Sequence, residues 1–462
     1  MKSTLREWQR RCIDAALERY AVAPHFFCQA TPGAGKTWMA AELANRLLQL
    51  DKIDLVLCFA PSCQVVEGFR STFSKVLGRR LDGLIGAVGA ACTYQAMDYQ
   101  DEAFWALLEN YRVLAIFDEI HHCAGHDLLL SNAWGQQIIQ NVQDQAAFTL
   151  ALSGTPWRSD DKGIALARYS TAEGRLVCDY RYGLREAISD NVCRSPRIVL
   201  LDNHSVKLTE ESSGDNPVRL FPSFNQLLCE SPVSYEELLR NPEIISQMLG
   251  LAIAKLDDLR KVKPDAGGLV VATDVEHAHQ VALALEARGE SCRIVTNRDK
   301  RAQDGINEFR HGASRWIVAV GMISEGTDIP RLQVCCYLSR IRTELHYRQV
   351  LGRVLRRTGA ADDQAWLYVL AESTLEGFSQ RVADDLPEDL AILSRVHAPP
   401  DIVEDLISEL APSYELRCPS SDDAAPSICG FSLGLSPSDS DSTSLYRLSF
   451  SQRYHYQLLA LF

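Results

Sequence analysis

Short apolar runs alternate with amphipathic helical patterns along two stretches of the chain. In residues 1–197 the runs are HFFCQA (25–30), LVLCFA (55–60), VLAIFDE (113–119) and AAFTLALS (146–153). In residues 243–372 they are GLVVAT (268–273), RIVT (293–296), WIVAV (316–320) and VCCYLS (334–339). Continuous apolar runs of this length are typical of strands buried on both faces, and their alternation with helices indicates parallel sheets. The pattern therefore predicts an α/β protein with two such domains.

The remaining segments have less regular patterns. Residues 198–242 contain SSGDNP and three further prolines, and we expect an irregular connector there. Residues 373–411 are predicted to form an acidic helical extension. Residues 412–445 are rich in Ser, Pro and Asp and are predicted to be disordered. The aromatic segment 446–462 is expected to be a helix packed against the body, with a docking peptide for a partner as the alternative.

Length and composition limit the class of protein. A chain of 462 residues is too long to fold around one hydrophobic core, and its 46% hydrophobic content is ordinary for globular domains. Its longest apolar runs are far below the ~20 residues of a membrane span. The N-terminus, MKSTLREWQRR, lacks the apolar stretch of a secretory signal. The 14 cysteines are scattered, so we expect a cytoplasmic protein with reduced thiols and no membrane partner.

The net charge of −13 is concentrated near the C-terminus. Residues 359–445 carry 17 acidic and 3 basic side chains, which leaves the first 358 residues nearly neutral. A polyanionic partner is therefore compatible with the first 358 residues. The acidic segment is interpreted as disorder kept soluble by charge, and an autoinhibitory nucleic-acid mimic is the alternative.

The stretch QVLGRVLRR (349–357) carries an arginine pair on a predicted helix. Gln349, Gly352, Arg353 and Arg356 fall on one helical face. Val350, Leu351, Val354 and Leu355 fall on the other, which we predict to be buried. Exposed arginines on an anchored helix are suited to an anion, although a solvated charged face explains the pattern equally well.

A glycine-rich loop, ATPGAGKT (30–37), lies between a predicted strand and a predicted helix. Glycines let backbone N–H groups approach phosphates, and the helix N-terminus adds further donors. Lys36 is expected on the β- and γ-phosphates, and the hydroxyl of Thr37 on Mg²⁺. Ala30 stands where the strict phosphate-loop pattern has glycine, and a small residue suffices there. The predicted ATP-binding residues of this loop are Thr31, Pro32, Gly33, Ala34, Gly35, Lys36 and Thr37.

A phosphate loop requires an acidic partner at the end of a neighbouring strand, and VLAIFDEIHH supplies one. Asp118 is predicted to hold Mg²⁺, and Glu119 to orient and deprotonate the attacking water. The histidines and cysteine of HHCAGH (121–126) suggest a zinc site, but no second ligand pair follows at a usable spacing. We therefore assign His121 to the DEIH motif and predict no zinc site.

In this order the motifs resemble those of superfamily 2 helicases and translocases. The similarity favours the branch of the helicase (Res) subunits of type I and type III restriction enzymes and the DExH DNA repair helicases. It covers about residues 4–372. The matching motifs are LREWQ (5–9), ATPGAGKT (Walker A, the P-loop), FAPSCQVVEGF (59–69), CTYQAM (92–97), DEIH (Walker B, the DEAH box), SGTPWR (153–158), VVATDVEHA (270–278), ISEGTDIP (323–330) and QVLGRVLRR.

The resemblance implies two tandem RecA-like domains, an ATP-binding domain at 1–197 and a helicase C-terminal domain at 243–372. It makes Gln9 the adenine contact, and Arg353 and Arg356 the arginine fingers that act across the cleft on ATP held by Lys36. The further implied roles are catalysis for Gln349, nucleotide contact for Gly326 and Asp328, nucleic-acid contact for Pro61, Thr93 and Ser324, and coupling for Ser153 and Thr155.

These expectations together describe an ATPase that moves along or remodels nucleic acid. Contacts to backbone phosphates would make it indifferent to sequence. RDKR (298–301) and the Arg340, Arg342 and Arg348 group are candidate contacts, or else solvated charges. DNA is favoured over RNA, in a repair, restriction or phage-defence setting, and no small-molecule substrate beyond ATP is expected.

Two further features bear on this activity. Only 18 residues separate Pro330 from Gln349, which favours duplex translocation over processive unwinding. No nuclease motif is evident, so cleavage would need a protein partner such as a nuclease subunit. The alternative function is a nucleotide-dependent switch or scaffold subunit of a larger complex. A small P-loop kinase or GTPase would not explain the second α/β half.

Overall fold

The computed structural model describes residues 5–125, 131–156, 163–170, 176–211, 217–299, 301–321, 329–359, 362–384, 445–451 and 453–460. Within these residues a parallel sheet and a mainly parallel sheet, each flanked by helices, confirm the α/β class and the tandem RecA-like arrangement. None of the described helices is long and apolar enough to cross a membrane.

The first sheet has six parallel strands in the order β3-β2-β4-β5-β1-β8. Its strands are β1 (His25–Ala30), β2 (Leu55–Ala60), β3 (Gly89–Thr93), β4 (Val113–Asp118), β5 (Phe148–Ser153) and β8 (Tyr180–Tyr182), while β6 (Arg168–Tyr169) and β7 (Leu176–Val177) form a separate ribbon. Every residue of β4 is buried, which explains why its first five residues, Val113 to Phe117, are all apolar. All the strands predicted in this half are present.

Helices cover both faces of the first sheet. They are α1 (Glu7–Tyr20), α2 (Lys36–Gln49), α3 (Cys63–Leu77), α4 (Tyr94–Met97), α5 (Glu102–Asn110), α6 (Ala133–Asn141) and α7 (Leu184–Ser189), with a 3₁₀ turn at Ile120–His122. Ser62 caps α3 and Thr93 caps α4, each through a side-chain oxygen that accepts a backbone N–H of the first turn. Because the strands are parallel, the loops that follow β1, β2, β3 and β4 emerge at the same edge of the sheet.

The second sheet has seven strands in the order β13-β14-β12-β15-β16-β9-β18. They are β9 (Ser195–Asn203), β12 (Gly267–Val271), β13 (Cys292–Thr296), β14 (Trp316–Val320), β15 (Leu332–Tyr337), β16 (Gln364–Leu370) and β18 (Tyr454–Ala460). All are parallel except β18, which is antiparallel to β9. The smaller third sheet holds β10 (Val206–Glu211), β11 (Val218–Phe221) and β17 (Leu445–Phe450).

The helices of the second half are α8 (Phe224–Glu230), α9 (Tyr235–Arg240), α10 (Pro242–Val262), α11 (Val275–Glu286), α12 (Ala302–His311), α13 (Glu344–Val354) and α14 (Ser373–Asp384). The segment predicted to be an irregular connector is therefore mostly regular, and its first strand, β9, pairs with β16 in the second sheet. Apolar residues such as Ile198 and Leu201 explain this because they are buried there.

The helix predicted across 349–357 ends earlier than expected. Helix α13 stops at Val354, and Arg356 forms an isolated antiparallel bridge with Cys193. The predicted buried face is confirmed, since Val350, Leu351 and Val354 are all at most 2% exposed.

The C-terminal segment forms strands, and the expectation of a helix is wrong. Strand β17 pairs with β10, and β18 covers the edge of β9, both antiparallel. Covering an edge satisfies the backbone groups of β9 that would otherwise face solvent. Helix α14 forms the first part of the predicted acidic extension, and the rest of that extension and the predicted disordered tail, up to residue 444, lie outside the described residues.

Candidate functional site

A cavity of about 1270 Å³ lies between the two domains. The phosphate loop and the end of β4 line it from the first domain, and Gln349, Arg353 and Arg356 line it from the second. Helices α3 and α12 form its outer walls. Two segments more than 300 residues apart in the chain therefore meet at one cavity, as the paired motifs predict.

The phosphate loop has the backbone that its sequence requires. Gly33 and Gly35 adopt φ values of 83° and 93°, a conformation that side chains disfavour, and α2 begins at Lys36. The guanidinium of Arg6 donates to the carbonyl of Ala34 at 2.7 Å, and the amide of Gln9 donates to the carbonyl of Gly35 at 3.0 Å. In this structure Gln9 thus supports the loop, and its adenine contact stays a prediction.

Lys36 lies between the loop and the acidic pair. Its Nζ is 3.1 Å from Glu119 Oε1 and 3.2 Å from the carbonyl oxygen of Ala30. The other carboxylate oxygen of Glu119 accepts the N–H of Gly154 at 3.1 Å. Burial opposes the ionisation of Glu119, but the charges of Lys36 and His121, together with the hydrogen bonds from Gly154 and Lys36, hold the pKa of Glu119 below its ordinary value.

Glu119 has a strained backbone. It adopts φ 50° and ψ 51°, the left-handed region in which residues other than glycine are uncommon. Such strain costs on the order of 1–3 kcal/mol and is concentrated at functional sites. Here it turns the chain out of β4 and directs the Glu119 carboxylate at Lys36.

Asp118 has the properties of a metal ligand. Burial, together with the negative charge of Glu119, raises the pKa of Asp118. Its Oδ1 is buried and, among the described residues, has no hydrogen-bond partner. Asp118 and Thr37 line the same cavity, and a carboxylate plus a hydroxyl is a donor set that fits Mg²⁺ when phosphates complete its coordination.

The predicted coupling residues, Ser153 and Thr155, lie beside the acidic pair. The hydroxyl of Ser153 lies 2.9 Å from His121 Nδ1 and 3.4 Å from Glu119 Oε2, and it accepts the N–H of Thr155 at 3.1 Å. His121 and Ser153 are fully or almost fully buried. The histidine of the DEIH motif therefore lies beside the serine of SGTPWR. No cluster of three or more His, Cys, Asp or Glu suited to a metal occurs in the described part of the chain, and His126 lies outside it.

The cleft arginines differ in their surroundings. Burial lowers the pKa of Arg356 to about 10, so its guanidinium stays charged at neutral pH. Arg194 positions the segment that holds Arg356. The backbone N–H of Arg194 donates to the carbonyl of Leu355 at 2.8 Å, and its fully buried side chain donates to the carbonyl of Val354 at 2.6 Å. Arg353 lies in the last turn of α13, three residues before Arg356, and lines the cavity.

Two of the three predicted nucleic-acid contacts lie at one edge of the first sheet. Thr93 ends β3 and pairs in register with Ala60, which directly precedes Pro61. Ser324, Gly326 and Asp328 lie outside the described residues. Of the basic candidates, Arg298 and Arg301 are exposed, whereas Arg342 pairs with Glu372 at 3.1 Å and Arg348 with Glu344 at 2.9 Å.

Some residues of the site were missed by sequence reasoning. Gly154 is one, since a Cβ there would lie 3.0 Å from Pro32 Cδ and 3.2 Å from Lys36 Nζ. Its place within SGTPWR is the signal that could have identified it. Arg194 carries no such signal, because its role depends on contacts with residues more than 130 positions away.

Two family descriptions match the chain. Residues 2–158 match the res subunit of type III restriction enzymes, and residues 252–358 match the helicase conserved C-terminal domain. The first match includes the predicted Walker motifs, and the second includes the arginine-bearing segment.

Three similar proteins illustrate the range of relatives. Uncharacterized proteins of Mycobacterium leprae and Mycobacterium tuberculosis are 31% and 32% identical over 375 and 374 residues, which is 76% of this chain. The chain spans 59% of the length of these mycobacterial relatives. The DNA 3′-5′ translocase XPB2 of Sulfurisphaera tokodaii is 24% identical over 391 residues, 77% of this chain and 79% of that protein.

Solved structures share the fold. A fragment of an HsdR subunit of a type I restriction enzyme from Vibrio vulnificus aligns with a TM-score of 0.56 at 16% identity, over 83% of this chain and 67% of that one. The ATP-dependent type ISP restriction-modification enzyme LlaBIII, bound to DNA, aligns with a TM-score of 0.52 at 13% identity, over 83% of this chain and 30% of that one.

Proposed function

Because the chain belongs to the superfamily 2 helicases and translocases, we propose that it is a nucleic-acid-stimulated ATPase whose active site lies between its two RecA-like domains. One observation carries the proposal. A single cavity is lined by Lys36 and Glu119 of the first domain and by Arg353 and Arg356 of the second. Charges that act on the same triphosphate can therefore come from both sides.

In the proposed mechanism a triphosphate displaces Lys36 from Glu119. The lysine then neutralises the β- and γ-phosphates, and Glu119, released from its cation, becomes a stronger base for the attacking water. The Gly154 N–H and the Ser153 hydroxyl keep the Glu119 carboxylate in place. Mg²⁺, held by Thr37 and Asp118, would neutralise the phosphate oxygens.

Arg353 and Arg356 are assigned to the charge that develops on the transferred γ-phosphoryl group. Since both belong to the second domain, the site is complete only when the domains close on the nucleotide. Hydrolysis and release of phosphate remove the group that both domains bind, and the cleft can reopen. Gln349, which lines the same cavity, would orient the γ-phosphate or the water.

The proposed partner is nucleic acid, which binds without sequence preference at the edge of the first sheet that holds Pro61 and Thr93. DNA is favoured over RNA, as a relative described as a DNA translocase supports. The proposal also includes duplex translocation in a repair, restriction or phage-defence setting, with a nuclease partner for any cleavage. A cytoplasmic localisation agrees with the free cysteines of the described residues.

Phosphate release from the full chain, measured without nucleic acid and with duplex DNA, single-stranded DNA or RNA, tests the proposal. Stimulation of about tenfold or more by one of them is expected, a lowering of the barrier by roughly 1.4 kcal/mol. A rate that responds to none of the three would instead favour the nucleotide-dependent switch or scaffold.

A further inference from the structure

Tyr94 joins the candidate nucleic-acid edge to the Walker B strand. It is the first residue of α4, directly after Thr93, and its hydroxyl donates to the carbonyl oxygen of Asp118 at 2.7 Å. The phenol ring is fully buried and stacks on Trp134 at a centroid distance of 5.6 Å. Burial raises the pKa of Tyr94 well above its usual value, so the hydroxyl keeps its proton and remains a donor.

The acceptor of this bond is well placed to affect catalysis. The carbonyl of Asp118 and the N–H of Glu119 belong to one planar peptide unit. Fixing that carbonyl therefore fixes the plane from which Glu119 enters its left-handed conformation. A small rotation of this peptide moves the Glu119 carboxylate relative to Lys36 and to the γ-phosphate.

The other end of the connection is equally direct. Thr93 Oγ1 accepts the N–H of Ala96 at 3.3 Å and so caps the helix that begins with Tyr94. A phosphate that binds at Thr93 would compete for this hydroxyl or pull on the cap. The displacement would reach Asp118 through one residue and one hydrogen bond.

We infer that Tyr94 is the positioning residue through which nucleic acid bound at Thr93 aligns Glu119 for hydrolysis. The inference rests on the proposed nucleic-acid-stimulated function. It makes stimulation a geometric effect, because displacements of about 1 Å in a catalytic group change rates by roughly 100-fold. A merely structural tyrosine would change stability and leave the ratio of stimulated to basal rate as it is.

The test uses Tyr94→Phe in the full chain, which keeps the ring and its stacking and removes only the hydroxyl. Tyr20→Phe is the matched control, since the Tyr20 hydroxyl donates to the carbonyl of Thr149, at 2.9 Å, on another strand of the same sheet. Thermal unfolding, ATP hydrolysis with and without nucleic acid, and the Kd for nucleic acid are measured for both variants and the wild type.

We expect the stimulation factor of Tyr94→Phe to fall at least about fivefold while its Kd for nucleic acid stays within about threefold. Tyr20→Phe keeps the wild-type stimulation factor. A wild-type stimulation factor in Tyr94→Phe, or an equal loss in Tyr20→Phe, would overturn the inference and leave the proposed function standing. A wild-type protein that no nucleic acid stimulates would contradict the proposed function and, with it, the inference.

Discussion

The side chain of Arg356 packs against Gly33 at the tip of the phosphate loop, where a Cβ would lie 3.1 Å from Arg356 Cγ. A second contact lies beside it, since a Cβ on Gly352 would come within 2.8 Å of Pro32 Cβ. The two domains thus touch at the loop that is predicted to bind phosphate, and two glycines leave room for the contact. Any change that separates these surfaces should separate the arginines from the nucleotide.

Gly352→Ala tests this contact. Alanine favours a helix by about 1 kcal/mol over glycine, so α13 itself should not be weakened. The added methyl would push Pro32 away, and we expect kcat for ATP to fall by at least about tenfold. Gly250→Ala, in α10 with no atom within 4 Å of the new Cβ, is the control and should keep kcat within about twofold. Equal kcat values for the two variants would show that the contact is irrelevant.

Lys36→Ala and Glu119→Gln separate binding from chemistry. Lys36→Ala removes the phosphate charge, and turnover should be abolished together with much of the ATP affinity. Glu119→Gln keeps an oxygen for the Gly154 N–H but removes the base, so kcat should fall by about 10²–10⁴-fold with ATP binding retained. Glu67→Gln, on α3 at the wall of the same cavity, is the control for replacing a carboxylate with a carboxamide. Residual turnover near wild type in Glu119→Gln would assign the base elsewhere.

Arg353→Ala should cost hydrolysis far more than nucleotide affinity. A finger residue acts on charge that develops in the transition state, and its loss typically lowers kcat by about 10³-fold or more. The Kd for ATP should change by less than about fivefold. Arg357→Ala is a suitable control, because that guanidinium donates to Asn191 at 2.6 Å and to the carbonyl of Gly359 at 2.9 Å. Equal losses in kcat and affinity for Arg353→Ala would argue against a finger.

Asp362→Asn probes the buried ion pair behind the arginines. Arg194 is fully buried and its Nη2 donates to Asp362 Oδ2 at 2.7 Å. Removing the carboxylate leaves a buried cation uncompensated, which should cost about 3 kcal/mol and lower Tm by roughly 6–12 °C. Glu308→Gln, at an exposed pair with Arg293, should change Tm little.

The same pair predicts a pH dependence. Burial opposes ionisation of Asp362, but the hydrogen bonds and charge of Arg194, together with the hydrogen bonds from Lys263 and Thr358, lower the pKa of Asp362 to about 2. A carboxylate whose folded pKa is lowered stabilises the fold above its unfolded value and loses that contribution as the pH falls through the folded pKa. The Tm difference between wild type and Asp362→Asn should therefore be constant near neutral pH and shrink below about pH 4. A difference that grows on acidification would contradict this assignment.

The sequence predicted best those elements whose signal is local. β1, β2 and β14 have the predicted bounds because strands buried on both faces are mostly apolar. β3, with the sequence GAACT, was missed because small residues carry little strand propensity. Helix α13 was overextended because Arg356 continues the helical spacing in sequence, whereas its backbone pairs with Cys193.

The long-range pairing of strands could not be predicted from the sequence. Strands β17 and β18 pair with residues 234 to 263 positions earlier in the chain. An alternating aromatic pattern does not indicate which strand it will pair with. The site shows the same division. The motif residues at Lys36, Glu119 and Arg353 were predicted from neighbouring letters, while Arg194 and Tyr94 act through tertiary contacts that one sequence does not encode locally.

If nucleic acid stimulates ATP hydrolysis between the domains, then ATP held there should in turn change the affinity for nucleic acid. The most direct test is the Kd of Glu119→Gln for a duplex or single strand, measured with ATP, with ADP and without nucleotide. We predict that the ATP-bound and ADP-bound affinities differ by at least about fivefold, a coupling free energy of roughly 1 kcal/mol. Identical affinities in all three conditions, with ATP demonstrably bound, would contradict the claim.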